Sequence, residues 1–217
     1  MKKKIKYNYI VIEGNIGAGK TSLTTMIARD YGARLILEQF EDNPFLAKFY
    51  VQPERYAFPL EMSFLTERYN QLKHELAHPE LFTSFTIADY YFSKSLIFAQ
   101  NNLNRDEYNL FQQIFSIIYD TLPRPDLYVY LHVSIERLLK NIAQRGRDYE
   151  KNIHAEYLEK IQNGYFRFMR QEKYIPFLVL DINNIDFVKN RGDYKKLTHI
   201  IFSGDYTPGI TRTRKLT

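Results

Sequence analysis

The chain has 217 residues, 45% of them hydrophobic and 25% charged, which suits one folded domain with a substantial core. It has no cysteine, which excludes disulfides and thiolate metal sites; no stretch reaches the roughly eighteen apolar residues of a membrane span, and no signal-peptide core follows Lys2–Lys4, so a cytoplasmic protein with no membrane partner is expected. The net charge of +5 is dispersed and the 18 Tyr and 16 Phe fall largely at core-like spacing, which argues against a nucleic-acid partner.

The first predicted strand, Asn8–Glu13, runs into Gly14-Asn15-Ile16-Gly17-Ala18-Gly19-Lys20-Thr21. Glycine at positions one and six, followed by Lys-Thr, is the P-loop pattern G-x-x-x-x-G-K-[ST]. The glycines let backbone N–H groups wrap a phosphate chain, so Gly14 to Thr21 are expected to bind ATP. Lys20 reaches the β- and γ-phosphates, the Thr21 hydroxyl takes Mg²⁺, and the next helix, Thr21–Asp30, turns its positive end to the anion. The bland alternative is a Gly-rich turn between a strand and a helix.

A strand at Arg34–Glu38 follows, then a helix at Phe58–His78 with Leu65, Tyr69, Leu72 and Leu76 on one face. Next come a strand at Phe82–Ala88, a helix at Lys94–Asn101, and a helix at Asp106–Leu122 with Tyr108, Phe111, Phe115, Ile118 and Leu122 aligned; Pro123 and Pro125 close it. The remaining elements are a strand at Leu127–His132, helices at Ile135–Arg145 and Ala155–Lys173, a strand at Phe177–Asp181 and a helix near Tyr194–Ile201. Strands alternating with helices predict an α/β fold, a P-loop NTPase-type three-layer sandwich whose five-stranded parallel sheet is wrapped by helices. Ligand then sits at the carboxyl ends of the strands, where Gly14, Glu38 and Asp89 fall. One domain is expected over 1–202, with 203–217 a loosely ordered tail.

The segments GNIGAGKT, LEQF, NPFLAKFYVQPERYAFPLEMSFLTERY, SKSLIFA, RPDLYVYLHV and RGRDYE stand in the order seen in the P-loop deoxynucleoside kinases. The chain resembles that family over roughly Tyr9 to Phe187, and its bacterial deoxyadenosine/deoxyguanosine kinase branch in particular. The resemblance implies a dimeric enzyme that uses ATP and Mg²⁺ to phosphorylate a deoxynucleoside. It makes Glu38 the general base beside the 5′-hydroxyl, where the residues alone read equally well as a solvated strand-end carboxylate. It makes the stretch around 145–153 a lid, whose Arg145 and Arg147 stabilise the transferring phosphoryl group. By themselves they are cations favoured at a helix C-terminus. Glu150 and Tyr50 match the pair that bonds the 3′-hydroxyl.

The chain departs from the family at the base-reading helix, where Glu61 stands for a Gln. Glu61, Phe64 and Arg68 share one helical face, either solvated surface or a wall of the base pocket, and Phe98 matches the family's stacking aromatic or packs the core. Ala88-Asp89-Tyr90 replaces a Glu-Arg-Ser triplet. Aligned without a gap, Asp89 replaces the arginine and the acid is lost; with a one-residue gap, the preferred alignment, Asp89 stands for the acid and helps hold Mg²⁺ through water with Thr21. The arginine near the 5′-hydroxyl is missing in either alignment, and Lys94 replaces an acid of some relatives. Residues 181–186 (DINNID) resemble the loop over the ATP adenine, or are a solvated turn. An ionised Glu61 can only accept hydrogen bonds, which favours guanine, with Arg68 reading its O6 and N7. Deoxyguanosine is therefore the expected acceptor, with deoxyadenosine or broad specificity as the alternative. A nucleotide-binding subunit without catalysis is the rival of another class. The aromatic-rich helices Phe58–His78 and Asp106–Leu122 are the expected homodimer surface.

Overall fold

In the computed structural model, which describes residues 5–39, 43–77 and 83–213, the strands form one all-parallel sheet. They are β1 (Tyr9–Gly14), β2 (Arg34–Ile36), β3 (Thr86–Ala88), β4 (Leu127–His132), β5 (Pro176–Asp181) and β6 (Gly209–Arg212), ordered β2-β3-β1-β4-β5-β6. The chain changes direction across the sheet at β1, which pairs with β3 on one side and β4 on the other. A crevice opens outside the carboxyl ends of the strands at such a switch point.

Side-chain alternation along the strands sorts the core into two layers. Ile10, Ile12, Leu127, Val129, Leu131, Leu178 and Leu180 point to an aliphatic layer. It is covered by α1 (Lys20–Tyr31), α6 (Ile135–Arg145) and α8 (Arg191–Ser203) through Leu23, Ile27, Leu138, Ile142, Leu197 and Ile201. The intervening Tyr9, Val11, Tyr128, Tyr130, Phe177 and Val179 face an aromatic layer under α3 (Pro53–Ala77), α4 (Ser93–Asn102), α5 (Arg105–Tyr119) and α7 (Ala155–Gln171). A sheet buried on both faces reads as near-continuous apolar strands, and β1 and β4 do. Much of the chain's tyrosine therefore packs the core.

Three expectations are corrected. The sheet has six strands, not five. The sixth comes from the tail expected to be loose: β6 pairs with β5 from Pro176–Gly209 to Val179–Arg212. It is a short edge strand, largely exposed, so its order rests on main-chain bonds to β5 and on Arg212 over the Phe166 ring at 5.0 Å, which leave no apolar pattern. The helix expected from Phe58 starts at Pro53 and runs through Pro59, which lacks one N–H; Ala57, Leu60 and Phe64 pack on Phe49 and hold that turn helical. Phe49 belongs to α2 (Leu46–Val51), a six-residue helix too short for a periodic signal. His78 and Phe82, at the ends of a predicted helix and strand, lie outside the described residues. Among the described residues no helix is long and apolar enough to cross a membrane. On α5, one of the two helices expected at a dimer surface, Leu110 and Ile117 are exposed.

Candidate active site

β1 ends on Gly14, where a Cβ would lie 2.9 Å from the Leu131 carbonyl oxygen of β4, so only glycine allows this approach. The loop closes on Gly19, which caps α1 with φ +86°. The first amides of α1 have no partner within the helix and stand where an anion is favoured. The Lys20 ammonium donates to the Asn15 carbonyl at 3.0 Å. Burial and then the nearby Lys94 charge lower its pKa to about 8. Asn15 itself is turned away from the cavity. Its amide donates to the Leu158 carbonyl at 2.7 Å and ties the loop to α7.

β2 and β3 deliver two carboxylates beside the loop. Asp89, directly after β3, accepts from the Thr21 hydroxyl at 2.5 Å and from the Glu38 amide at 2.8 Å. One hydroxyl and one carboxylate suit a hard cation that also takes phosphate oxygens. Among the described residues no group of three or more His, Asp or Glu forms a self-sufficient metal site, so such a cation would need its phosphates. Glu38 is gripped on both oxygens. Arg68 donates to Oε1 from Nε at 2.9 Å and from Nη2 at 2.7 Å, and Lys94 pairs with Oε2. Burial alone would raise the Glu38 pKa; the Lys94 and Arg68 charges outweigh it and bring it to about 2. Lys94, from α4, is thus the second cation on this carboxylate.

Glu61, Phe64 and Arg68 of α3 line the cavity rather than an outer surface; Glu61 is 1% and Arg68 4% exposed. Arg68 also donates to the Ser95 hydroxyl at 2.8 Å and lies 4.7 Å from the Phe64 ring centre. Three of its N–H groups are thus bound inside the protein, which corrects the picture of a guanidinium devoted to a base edge. Glu61 Oε1 accepts from the Asn102 amide at 2.6 Å, and Oε2 is buried with no hydrogen-bond partner among the described residues. Here burial dominates, opposed by Arg68 and Asn102, and pushes the pKa up to about 7. Phe98 lines the same cavity, with the Lys94 ammonium 5.6 Å from its ring centre.

The stretch after α6 closes the far wall. Glu150, 5% exposed, pairs with Arg145 (Nη2 to Oε1 2.6 Å) and more distantly with Arg147 (3.7 Å). Arg145 is therefore bound to the acid expected to hold the sugar. Tyr50 of α2 stacks on Tyr149 at 5.8 Å, its hydroxyl pKa is raised by burial and by the Glu150 charge, and Tyr50 and Glu150 line the same cavity. Residues 182–186 form the other rim, held by Arg137, which donates to the carbonyls of Ile182, Asn183 and Ile185. The whole encloses about 1060 Å³, more than one drug-sized ligand needs.

The profile of the deoxynucleoside kinase family matches residues 10–202. The chain belongs to that family. It is 37% identical over 193 residues to deoxyguanosine kinase of Bacillus subtilis (strain 168), spanning 87% of this chain and 93% of that protein. It is 33% identical over 190 residues to deoxyadenosine kinase of Dictyostelium discoideum, spanning 86% and 76%. The fold superposes on deoxyadenosine kinase from M. mycoides with bound dCTP at TM-score 0.74 and 26% identity, covering 90% of this chain and all of that one. The protein is thus a deoxynucleoside kinase, a phosphotransferase.

Several residues of this kinase's cavity lay outside the sequence reading. Lys94, Asn102, Arg137, Tyr149 and Tyr157 line it with no role that the sequence assigns them. A signal existed for two of them. Lys94, Phe98 and Asn102 stand at i, i+4 and i+8 on α4, a polar–aromatic–polar face matching Glu61, Phe64 and Arg68 on α3. Fully buried Glu13 was also missed; it accepts from the Tyr91 amide at 3.0 Å and the Tyr165 hydroxyl at 2.9 Å and anchors β1 under the phosphate loop.

Proposed function

We propose that the kinase transfers the γ-phosphate of MgATP to the 5′-hydroxyl of a purine deoxynucleoside, with deoxyguanosine preferred. The observation that carries the base assignment is Glu61, a buried carboxylate on the cavity wall whose Oε2 lacks a donor. Guanine offers two adjacent donors, N1–H and the N2 amine, and a carboxylate accepts both. Adenine would turn its N1 lone pair on the anion and leave both acceptors unpaired, at about 1–3 kcal/mol.

In the same reading, Lys20 and the first amides of α1 hold the phosphates, and Thr21 with Asp89 holds Mg²⁺. The metal, when bound, neutralises charge on the phosphate oxygens. Residues 182–186 cover the ATP adenine, while Phe98 and Phe64 flank the acceptor base. Tyr50 and Glu150 hold the 3′-hydroxyl, and Arg145 keeps Glu150 in place as well as closing the lid. Arg147 meets the charge of the phosphoryl group in flight. Glu38 is ionised at any physiological pH and far too weak a base to remove a hydroxyl proton beforehand. It accepts the hydrogen bond of the 5′-hydroxyl, aims its oxygen in line, and receives the proton as the P–O bond forms.

Measuring kcat/KM at pH 8 for deoxyguanosine, deoxyadenosine and deoxycytidine by coupled ADP release tests the assignment. Deoxyguanosine leads in the parent, and Glu61→Gln moves preference toward deoxyadenosine, since an amide both donates and accepts. A pyrimidine or deoxyadenosine leading in the parent at pH 8 sinks the guanine assignment. No ADP release with any deoxynucleoside favours the non-catalytic subunit.

A further inference from the structure

The two oxygens of Glu61 are not equivalent. Oε1 is bonded to the Asn102 amide N–H at 2.6 Å, an arrangement that suits a carboxylate and the carbonyl oxygen of a neutral acid alike. Oε2 is the atom without a partner. A buried oxygen in that position is satisfied either by carrying a proton or by accepting a donor from the ligand. These alternatives fit different bases. With Oε2 ionised, the group accepts both guanine N1–H and N2–H. With Oε2 protonated, the O–H donates to adenine N1, while Oε1 accepts from the adenine N6 amine and keeps its bond to Asn102.

We propose that the protonation state of Glu61 selects the base: the ionised carboxylate takes guanine and the neutral acid takes adenine, so one site phosphorylates both purine deoxynucleosides in a ratio set by pH. This rests on the kinase reading above and on Glu61 as the base reader. The charges around Glu61 are balanced enough to leave both states accessible. Arg68 on the same helix and Lys94 on α4 favour the anion, as does the Asn102 bond. Glu38 beyond β2 and the burial itself oppose it, while Tyr50 of α2 and Tyr157 of α7, both with raised hydroxyl pKa values, stay neutral on the remaining sides. Burial prevails just far enough to place the pKa at about 7. Glu38, in the same pocket but clamped by two cations, stays ionised throughout.

The test is the ratio of kcat/KM for deoxyguanosine over deoxyadenosine, measured in competition from pH 6 to pH 8. Groups that serve both substrates, Glu38 and Lys20 among them, cancel in the ratio. It should rise about tenfold per pH unit, close to a hundredfold over the range, because each substrate draws on one protonation state only. Glu61→Gln should flatten the ratio and leave deoxyadenosine ahead. Calorimetry of the parent at pH 7 in two buffers of different ionisation enthalpy gives a second readout that needs no variant. Deoxyguanosine binding should release protons and deoxyadenosine binding should take them up. A pH-flat ratio, or proton exchange of the same sign for both nucleosides, overturns this inference and leaves the kinase intact. Turnover of neither nucleoside at any pH overturns the reading beneath it.

Discussion

At the donor end of the cavity, one unbroken run, Gly14 to Thr21, carries the glycines, the amides, the ammonium and the hydroxyl expected to meet the phosphates, with Ile16 to Thr21 lining the cavity. At the acceptor end, Glu38, Tyr50, Glu61, Arg68, Lys94, Asn102 and Glu150 come from five separate pieces of chain spread over more than half its length. The phosphate loop itself is built from β1, the start of α1 and the turn between them. Its chemistry is mainly backbone, so few side-chain choices can retune it. The acceptor end is a tertiary assembly in which cations decide what each carboxylate does. Glu38, with Lys94 and Arg68 on its two oxygens, is held at about 2; Glu61, with one amide and one bare oxygen, is raised to about 7. The same residue type serves two purposes a few side chains apart, and the difference lies in how many cations touch it.

Removing the acceptor carboxylate tests that contrast most severely. Glu38→Gln should keep ATP binding at pH 7, because the Glu38 carboxylate is bonded to Arg68 and Lys94 and not to the phosphate loop, and should lower kcat by roughly 10²–10⁴-fold, the range for a positioned acid–base group. Steady-state kinetics together with ATP titration check both halves. A variant turning over at the parent rate would show that Glu38 has no part in the proton's path, and loss of ATP binding would show that the two ends are not separable.

Next in size is the cation on Glu38 Oε2. Lys94→Met should lower kcat by about ten- to a hundredfold, as expected when a group that orients a reacting one is lost, and Lys94→Arg should recover most of it. The pH profile separates this from simple damage. In the parent, the pKa of about 2 keeps Glu38 ionised across the working range, so its protonation leaves no acid limb above about pH 4. Without Lys94, burial is opposed by Arg68 alone and the pKa rises, so a limb should enter from the acid side, with activity lost as pH falls through it. An unchanged profile in Lys94→Met would mean that Arg68 alone sets the state of Glu38.

What the sequence disclosed follows the same division. The phosphate loop, the positions of five strands along the chain and the amphipathic helices were legible because each depends on neighbours within a few residues. Gly14, Glu38 and Asp89 could be placed at the strand ends from topology alone. The grip of Lys94 on Glu38 was not legible, because it joins residues 56 positions apart, brought together only once α4 has packed against α3. Asn102 pairs with Glu61 across 41 positions for the same reason. β6 escaped because an exposed edge strand carries no burial pattern. The resemblance to relatives supplied the lid, but it pointed Arg145 and Arg147 alike at phosphate and could not show that Arg145 is already paired with Glu150.

The smallest effect tests whether the two ends communicate. Lys20 is held down to about 8 by burial and then by Lys94, so in the free enzyme it is mostly charged at pH 7 and mostly neutral at pH 9. In the proposed reading the ATP phosphates bind the ammonium, so above pH 8 binding must first restore the proton. ATP affinity should therefore weaken by about tenfold between pH 7 and pH 9, and calorimetry in two buffers at pH 8.5 should register proton uptake. Lys20→Arg, charged throughout, should flatten this dependence. Lys94→Met removes the like charge that helps depress Lys20, so it should move the same limb to higher pH even though residue 94 belongs to the acceptor end. If the limb stays put in Lys94→Met while Lys20→Arg abolishes it, burial alone sets Lys20 and the ends act independently. If it moves, one lysine on α4 sets the state of the carboxylate at one end and of the phosphate-binding lysine at the other.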